Sequence, residues 1–81
     1  MTWLARNSSS RFVVFVREGG RLLSITHLQT EQALVDFMRD NVVKMGIRSG
    51  VSLLSKGVER EVVFEEYEFM GVKNVHWGVK E

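Results

Sequence analysis

Residues 11–45, RFVVFVREGGRLLSITHLQTEQALVDFMRDNVVKM, decide how the rest of this chain must fold. Two segments rich in β-branched and aromatic residues, 12–16 and 22–26, lie on either side of Gly19 and Gly20. Such residues favour strands, and glycine readily adopts the positive φ angles of a two-residue hairpin turn. The first half of this stretch therefore predicts a tight β-hairpin.

The turn also predicts how the two strands pair. If Glu18 lies opposite Arg21, alternation of side chains places Val16 opposite Leu23, Val14 opposite Ile25 and Phe12 opposite His27 on one side, which we expect to face the core. The other side, called here the back face, then carries Val13, Phe15, Arg17 and Leu22. This face is less polar than a solvated sheet face usually is.

An amphipathic helix is predicted directly after the hairpin. The hydroxyl of Thr30 can cap its first turn, and Gly46 is suited to end it in the left-handed conformation. Helical spacing gathers one apolar stripe, with Val35 at its edge: Leu34, Phe37, Met38, Val42 and Met45. The core predicted from hairpin and helix together is Phe12, Val14, Val16, Leu23, Ile25, Leu34, Phe37, Met38 and Val42.

The remaining sequence predicts three more strands. The first is Val51–Ser55, which stops at Lys56 and Gly57, and the last surrounds Val75, Trp77 and Val79. Residues 58–70 also fit a helical spacing, but their β-branched and aromatic residues favour a strand. A β-bulge at Glu65 and Glu66 would turn one set of side chains toward the core: Val62, Phe64, Tyr67 and Phe69.

This order of elements, ββαβββ, predicts a single small α+β domain over residues 1–81, with one helix on one face of a largely antiparallel sheet. A hairpin followed by a covering helix resembles the opening of a β-grasp domain at the level of topology only. Near the amino terminus, Trp3 and Leu4 predict either a short opening strand or an aromatic tether.

Composition narrows the class of protein. A chain of 81 residues can bury only one core, and the absence of cysteine excludes disulfides and thiolate chemistry. The first residues lack the apolar core of a signal peptide, and the longest apolar run, residues 12–16, is far too short to span a membrane. We therefore expect a cytoplasmic protein that does not associate with membranes.

No pattern in the sequence predicts a catalytic, metal or cofactor site. His27 and His76 lie on different predicted strands with no cysteine or spaced acidic partner, so a zinc site is not expected. None of the serines lies in a nucleophile elbow, and Gly19 and Gly20 lead into a strand instead of a helix. An enzyme would need a pocket built from distant residues, and we rank this hypothesis last.

Charge is distributed unevenly along the chain. Residues 1–60 carry nine basic and five acidic side chains, whereas residues 61–81 carry two basic and five acidic ones. Either the acidic strand pairs with basic neighbours, or the surface has two oppositely charged patches. In the second case a nucleic-acid-binding hairpin is an alternative function, with Phe15 stacking on bases and these arginines binding phosphates: Arg6, Arg11, Arg17 and Arg21.

The preferred hypothesis is a small, non-enzymatic regulatory protein that binds another macromolecule and forms a homodimer. One helix can cover only one sheet face, so the back face is the expected interface, through Val13, Phe15, Arg17 and Leu22, with Val63 nearby. The last strand could instead pair with its copy, or the segment with Trp3 and Leu4 could cover the back face and leave a monomer. Small phage or mobile-element accessory proteins have this compact, motif-free character.

Overall fold

The computed structural model describes residues 11–81, which form a five-stranded antiparallel sheet with one helix. The elements are β1 (Phe12–Glu18), β2 (Arg21–Leu28), helix α1 (Glu31–Phe37, continued by a π-helical segment, Met38–Val43), β3 (Val51–Ser55), β4 (Val58–Phe69) and β5 (Val72–Val79). The sheet order is β2-β1-β3-β4-β5. The α+β class and the ββαβββ order are confirmed, whereas the likeness to a β-grasp domain is not. The predictions for Trp3, Leu4 and Arg6 lie outside the described residues.

Three two-residue turns connect the sequential strands. They are Gly19 with Gly20, Lys56 with Gly57, and Met70 with Gly71, and in each pair both φ angles are positive. Positive φ at both central residues is the requirement of a type I′ turn, whose twist matches that of the strands it joins. The predicted hairpin turn at Gly19 and Gly20 is therefore confirmed.

The predicted pairing of the hairpin holds near the turn and is wrong beyond it. Glu18 lies opposite Arg21 and Arg17 opposite Leu22, but the register then shifts, so that Val16 lies opposite Ser24 and Leu23 is the extra residue. A one-residue bulge moves every later side chain of β2 to the other face. Leu23 and Ile25 are consequently 51% and 49% exposed, so their assignment to the core was wrong.

Both predicted ends of the helix are confirmed. The Thr30 side-chain oxygen accepts a hydrogen bond of 3.0 Å from the backbone N–H of Ala33. At the other end Gly46 has φ +79°, its N–H donates to the carbonyl of Val43, and the N–H of Ile47 donates to that of Val42. These two bonds form a Schellman motif, which satisfies carbonyls that the last turn leaves free.

The apolar stripe of the helix differs from the predicted one at its end. Leu34, Met38 and Val42, spaced by four residues, are buried, and Phe37 is half-buried against the same core. The π-helical segment has more residues per turn than an α-helix, which keeps residues four apart close to one line. Met45, three residues after Val42, falls off that line and is 72% exposed, so its predicted place in the stripe was wrong.

The core lies between α1 and the sheet face that it covers, called here the helix face. Its buried residues come from β1, α1, β3 and the middle of β4: Phe12, Val14, Val16, Leu34, Met38, Val42, Val51, Leu53 and Val62. Burial of this apolar surface is the main stabilising contribution to the fold. Among residues 11–81, no helix is long and apolar enough to cross a membrane.

Beyond this core β4 continues as an arm, which we define as residues 62–79. β4 pairs with β3 only through residues 58–61, and it pairs with β5 from Val62 to Phe69. This second register is uninterrupted, so the bulge predicted at Glu65 and Glu66 was wrong. Strict alternation places Val62 and Phe64 on the helix face as predicted but Tyr67 and Phe69 on the back face, contrary to the prediction.

Candidate interaction surface

The back face carries most of the large exposed apolar side chains of the sheet. They form two groups, one on β2 and one on the arm: Leu22 and Ile25, and Val63, Tyr67, Phe69 and Val72. Tyr67 and Phe69 are 53% and 65% exposed. Exposed apolar side chains scattered singly are common, but a group on one face marks a candidate binding surface.

A polar cluster separates the two apolar groups. The guanidinium of Arg17 lies 5.1 Å from the ring centre of Phe15, and its Nη1 atom lies 3.1 Å from Oε2 of Glu59 on β4. Arg17 thus shields part of the Phe15 ring and carries a charge that its neighbour balances. At the centre of the back face, the aromatic ring and the charge therefore already have partners within the chain, whereas the apolar side chains at the two ends are exposed.

The structure places all four predicted partner-binding residues on the back face, but their accessibility differs. Leu22 is exposed, whereas Phe15 and Arg17 are half-buried against each other. Val13 is buried, with His27 and Leu54 as its neighbours on the adjacent strands. Of this predicted set, Leu22 is thus the residue best placed to contact another molecule.

Sequence reasoning missed four of the exposed apolar residues on this face, namely Val72, Ile25, Tyr67 and Phe69. The last two follow from simple alternation through Val63, Glu65, Tyr67 and Phe69, which a period of two would have found. For Ile25 the consecutive leucines at 22 and 23 are compatible with a bulge but do not specify one.

The tip of the arm combines exposure with an unusual backbone. Met70 is 86% exposed and has φ +52°, a conformation that a long side chain rarely adopts. Asparagine or glycine is the usual residue at this position of a type I′ turn. A strained residue with an exposed apolar side chain is a reason to suspect a contact at this point.

The predicted nucleic-acid-binding arginines do not form one patch in the described chain. Arg11 precedes β1 and lies 5.4 Å from the ring centre of Phe12, whereas Arg17 and Arg21 lie at the opposite end of the hairpin. Alternation places Arg17 on the back face and Arg21 on the helix face. Arg17 is moreover paired with Glu59.

The base of the arm is fixed by Arg48, in the loop before β3. Its Nη1 atom donates a 2.9 Å hydrogen bond to the carbonyl of Val43, and its guanidinium lies 5.9 Å from the ring centre of Phe64. Its Nε atom lies 3.6 Å from a carboxylate oxygen of Glu66, which is an ion pair but too long for a good hydrogen bond. Arg48 therefore joins the end of the helix to the arm.

Comparison with protein-family models, curated protein sequences and solved structures finds no significant match. Within residues 11–81, no group of three histidine, cysteine or acidic side chains converges as metal ligands would. A cleft of about 500 Å³ between the β1–β2 turn and residues 46–50 is lined by four glycines and two arginines, but no histidine, aspartate or cysteine lines it.

The described ion pairs lie mostly along the helix. Arg39 bonds the carboxylates of Asp36 and Asp40 at 2.7 and 3.2 Å, and the hydrogen bond from Arg39 holds the pKa of Asp40 below its usual value. The same bond raises the pKa of Arg39. This is a solvated cluster on the outer surface of the helix, and such pairs contribute little to stability.

Proposed function

We propose that this protein is a small, non-enzymatic interaction protein of the cytoplasm that binds another macromolecule and forms a homodimer. The observation that carries the binding of another macromolecule is the back face, where exposed apolar residues of β2 and of the arm lie on one side of the sheet. Such surfaces in small proteins mark sites of association.

The chemistry of the exposed groups supports binding more than catalysis. The arm presents an aromatic pair, Tyr67 and Phe69, beside the carboxylate of Glu65 on the same face. Aromatic side chains contribute large contact areas with few rotatable bonds and dominate the energetics of protein interfaces. An apolar surface with an acidic component also fits a protein partner better than the polyanionic backbone of a nucleic acid.

The test compares two variants that each replace an exposed apolar residue by glutamate. Phe69→Glu alters the back face, and Met45→Glu alters an equally exposed position at the end of the helix. Each variant and the wild type, as tagged 81-residue chains, are used to recover bound molecules from the native host at low and high salt. We expect the wild type and Met45→Glu to recover the same protein partner and Phe69→Glu to lose it.

Two outcomes would contradict the proposal. One is recovery of nucleic acid with a steep dependence on salt, which would favour the basic hairpin instead. The other is an identical set of recovered proteins for Phe69→Glu and the wild type, because the back face would then have no part in binding.

A further inference from the structure

We propose that a second copy of this chain pairs with the outer edge of β5, antiparallel to it and with the two-fold axis at Trp77. This inference rests on the proposed homodimer and specifies its interface. The back face is left free for a different partner.

The direction of each backbone group in β5 follows from one hydrogen bond. The N–H of Lys80 donates to the carbonyl of Glu61 at 2.8 Å, and the pairing of β4 with β5 continues from there without a shift. In an antiparallel pair, bonded and non-bonded positions alternate. The N–H and C=O groups that point away from β4 therefore belong to Lys73, Val75, Trp77 and Val79.

Of the open edges in the described sheet, that of β5 is the least protected against association. The edge strand β2 is interrupted by its bulge. The free edge of β4 within the arm presents the backbone groups of Glu66 and Glu68, so a two-fold pairing there brings carboxylates together. β5 is eight residues long, has no register shift, contains no proline, and has Lys73 as its one charged residue. Long, weakly charged edges of this kind are templates for strand pairing.

A second copy is the occupant because the edge is complementary to itself. With the axis at Trp77, the two Trp77 side chains lie opposite each other, each Val75 faces Val79, and each Lys73 faces Glu81. Apolar residues thus meet apolar residues, and opposite charges meet twice. An axis at His76 would place the two imidazoles against each other, and an axis at Val75 would place each Lys73 opposite a tryptophan.

The surroundings of the edge are compatible with this pairing. A groove of about 380 Å³ runs beside β5 and is lined by Val35, Val43, Val75 and Trp77 together with Arg39 and His76. The charge of Arg39 is already balanced by Asp36 and Asp40 on its own helix. Val75 and Trp77 are half-buried in the single chain, so pairing would cover apolar surface that water still reaches.

The pairing has a consequence for the back face. A two-fold axis between antiparallel strands stands perpendicular to the sheet, so the dimer would be one ten-stranded sheet with both helices on one side. Both back faces would then lie on the other side, and a partner with two matching sites could bind both at once, with the gain in affinity that linked sites give.

Two proline variants of the full chain test which edge is used. Val75→Pro removes an N–H that points outward from β5, and Glu68→Pro removes one that points outward from β4, so neither breaks the pairing within the arm. We expect light scattering to give a dimer for the wild type and for Glu68→Pro, and half that molar mass for Val75→Pro. Val75→Lys, which keeps the N–H but places a charge opposite Val79, should also weaken the dimer.

Three results would overturn the inference, and they separate it from the proposed function. A wild-type monomer at micromolar concentration would reject the pairing together with the homodimer of the proposed function, while binding of another macromolecule by the back face would still be tested by Phe69→Glu. A dimer that is lost in Glu68→Pro but kept in Val75→Pro would place the interface on β4. A dimer that is lost only in Phe69→Glu would place it on the back face.

Cysteine pairing tests the register, since the chain has no cysteine of its own. With the axis at Trp77, residue 76 lies opposite residue 78 of the copy, at a separation that suits a disulfide. A Cβ at Gly78 meets no atom within 4 Å, so Gly78→Cys is tolerated sterically. We expect mild oxidation to link a mixture of His76→Cys and Gly78→Cys chains faster than either chain alone. Fastest linkage of His76→Cys to itself would reject this register, and no linkage in any sample would reject the pairing.

Discussion

At Gly50 the loop before β3 passes so close to β1 that no side chain fits. Gly50 has φ +73°, its carbonyl accepts a 2.7 Å hydrogen bond from the N–H of Arg17, and a Cβ would overlap the carbonyl oxygen of Arg17. We expect Gly50→Ala to lower the free energy of unfolding by about 2 to 4 kcal/mol, from left-handed strain and a displaced hydrogen bond. Urea titration measures this loss.

Gly57→Ala is the matched control, because Gly57 has φ +77° but open space where a Cβ would stand. This variant should lose about 1 kcal/mol, from backbone strain alone. Equal losses in the two variants would show that the contact between Gly50 and Arg17 has no energetic weight.

Met70 gives a prediction of opposite sign. Its left-handed backbone suits asparagine better than methionine, so Met70→Asn should raise the free energy of unfolding by about 0.5 to 1 kcal/mol. Lys56→Asn, at the equivalent position of the β3–β4 turn, should give a similar gain. If Met70→Asn also weakens partner binding while Lys56→Asn does not, the Met70 side chain contacts the partner, and this contact accounts for a strained residue at the tip of the arm. A destabilised Met70→Asn would contradict the strain argument.

In the helix, two methionines allow the energetic effect of burial to be measured with the residue type held constant. Met38 is fully buried and Met45 is 72% exposed. Met38→Ala should lower the free energy of unfolding by about 2 to 5 kcal/mol, since it removes buried atoms and leaves a cavity. Met45→Ala should change it by less than about 0.5 kcal/mol. Similar losses by denaturant titration would mean that the π-helical segment does not set the buried stripe.

The ends of the helix and the hairpin turn could be predicted because each depends on a few neighbouring residues. Thr30 and Gly46 act through hydrogen bonds within their own turns, and Gly19 and Gly20 through their own φ angles. The π-helical segment could not be predicted in this way. A π-helical turn contains more residues than an α-helical one. Its place in this helix depends on the core residues that Leu34, Met38 and Val42 contact, and these are distant in sequence.

Strand register was the main source of error, because it too depends on packing against residues that are distant in sequence. In β2 either face could have been apolar according to the sequence. The bulge at Leu23 turns Ile25 to the back face, whereas the prediction placed it on the core side. In β4 the prediction added a bulge to bury Tyr67 and Phe69, on the premise that large apolar residues belong in the core. The arm extends beyond the core, so no buried position was available for them. The four predicted partner-binding residues therefore do share one face, but four of the six exposed apolar residues of that face were not predicted to lie on it.

For the whole molecule, the uneven charge along the sequence is balanced partly within the fold. Arg48 pairs with Glu66 and so joins the basic and acidic parts of the chain, whereas the pair between Arg17 and Glu59 lies within residues 1–60. Glu65 and Glu68 form no ion pair among the described contacts, and they leave the arm with acidic character.

The arm should also open independently of the body. Beyond Val62 none of its side chains is fully buried, and its base is held mainly by Phe64, Trp77 and Arg48. We expect the amides of Glu65, Tyr67 and His76, which point into the arm, to exchange through local opening at a lower free energy than those of Val14 and Leu53 in the body. Hydrogen exchange of the full chain followed by NMR measures both.

Replacing the anchor separates local opening of the arm from global unfolding. Arg48→Met removes the hydrogen bond to Val43 and the ion pair with Glu66 but keeps most of the apolar stem. Exchange in the arm should then accelerate more than exchange at Val14. Pairing through β5 adds a second signature, because protection at Val75 and Trp77 should rise with protein concentration while protection at Leu53 stays constant. Identical exchange free energies in arm and body, before and after Arg48→Met, would show that sheet and arm unfold as one cooperative unit.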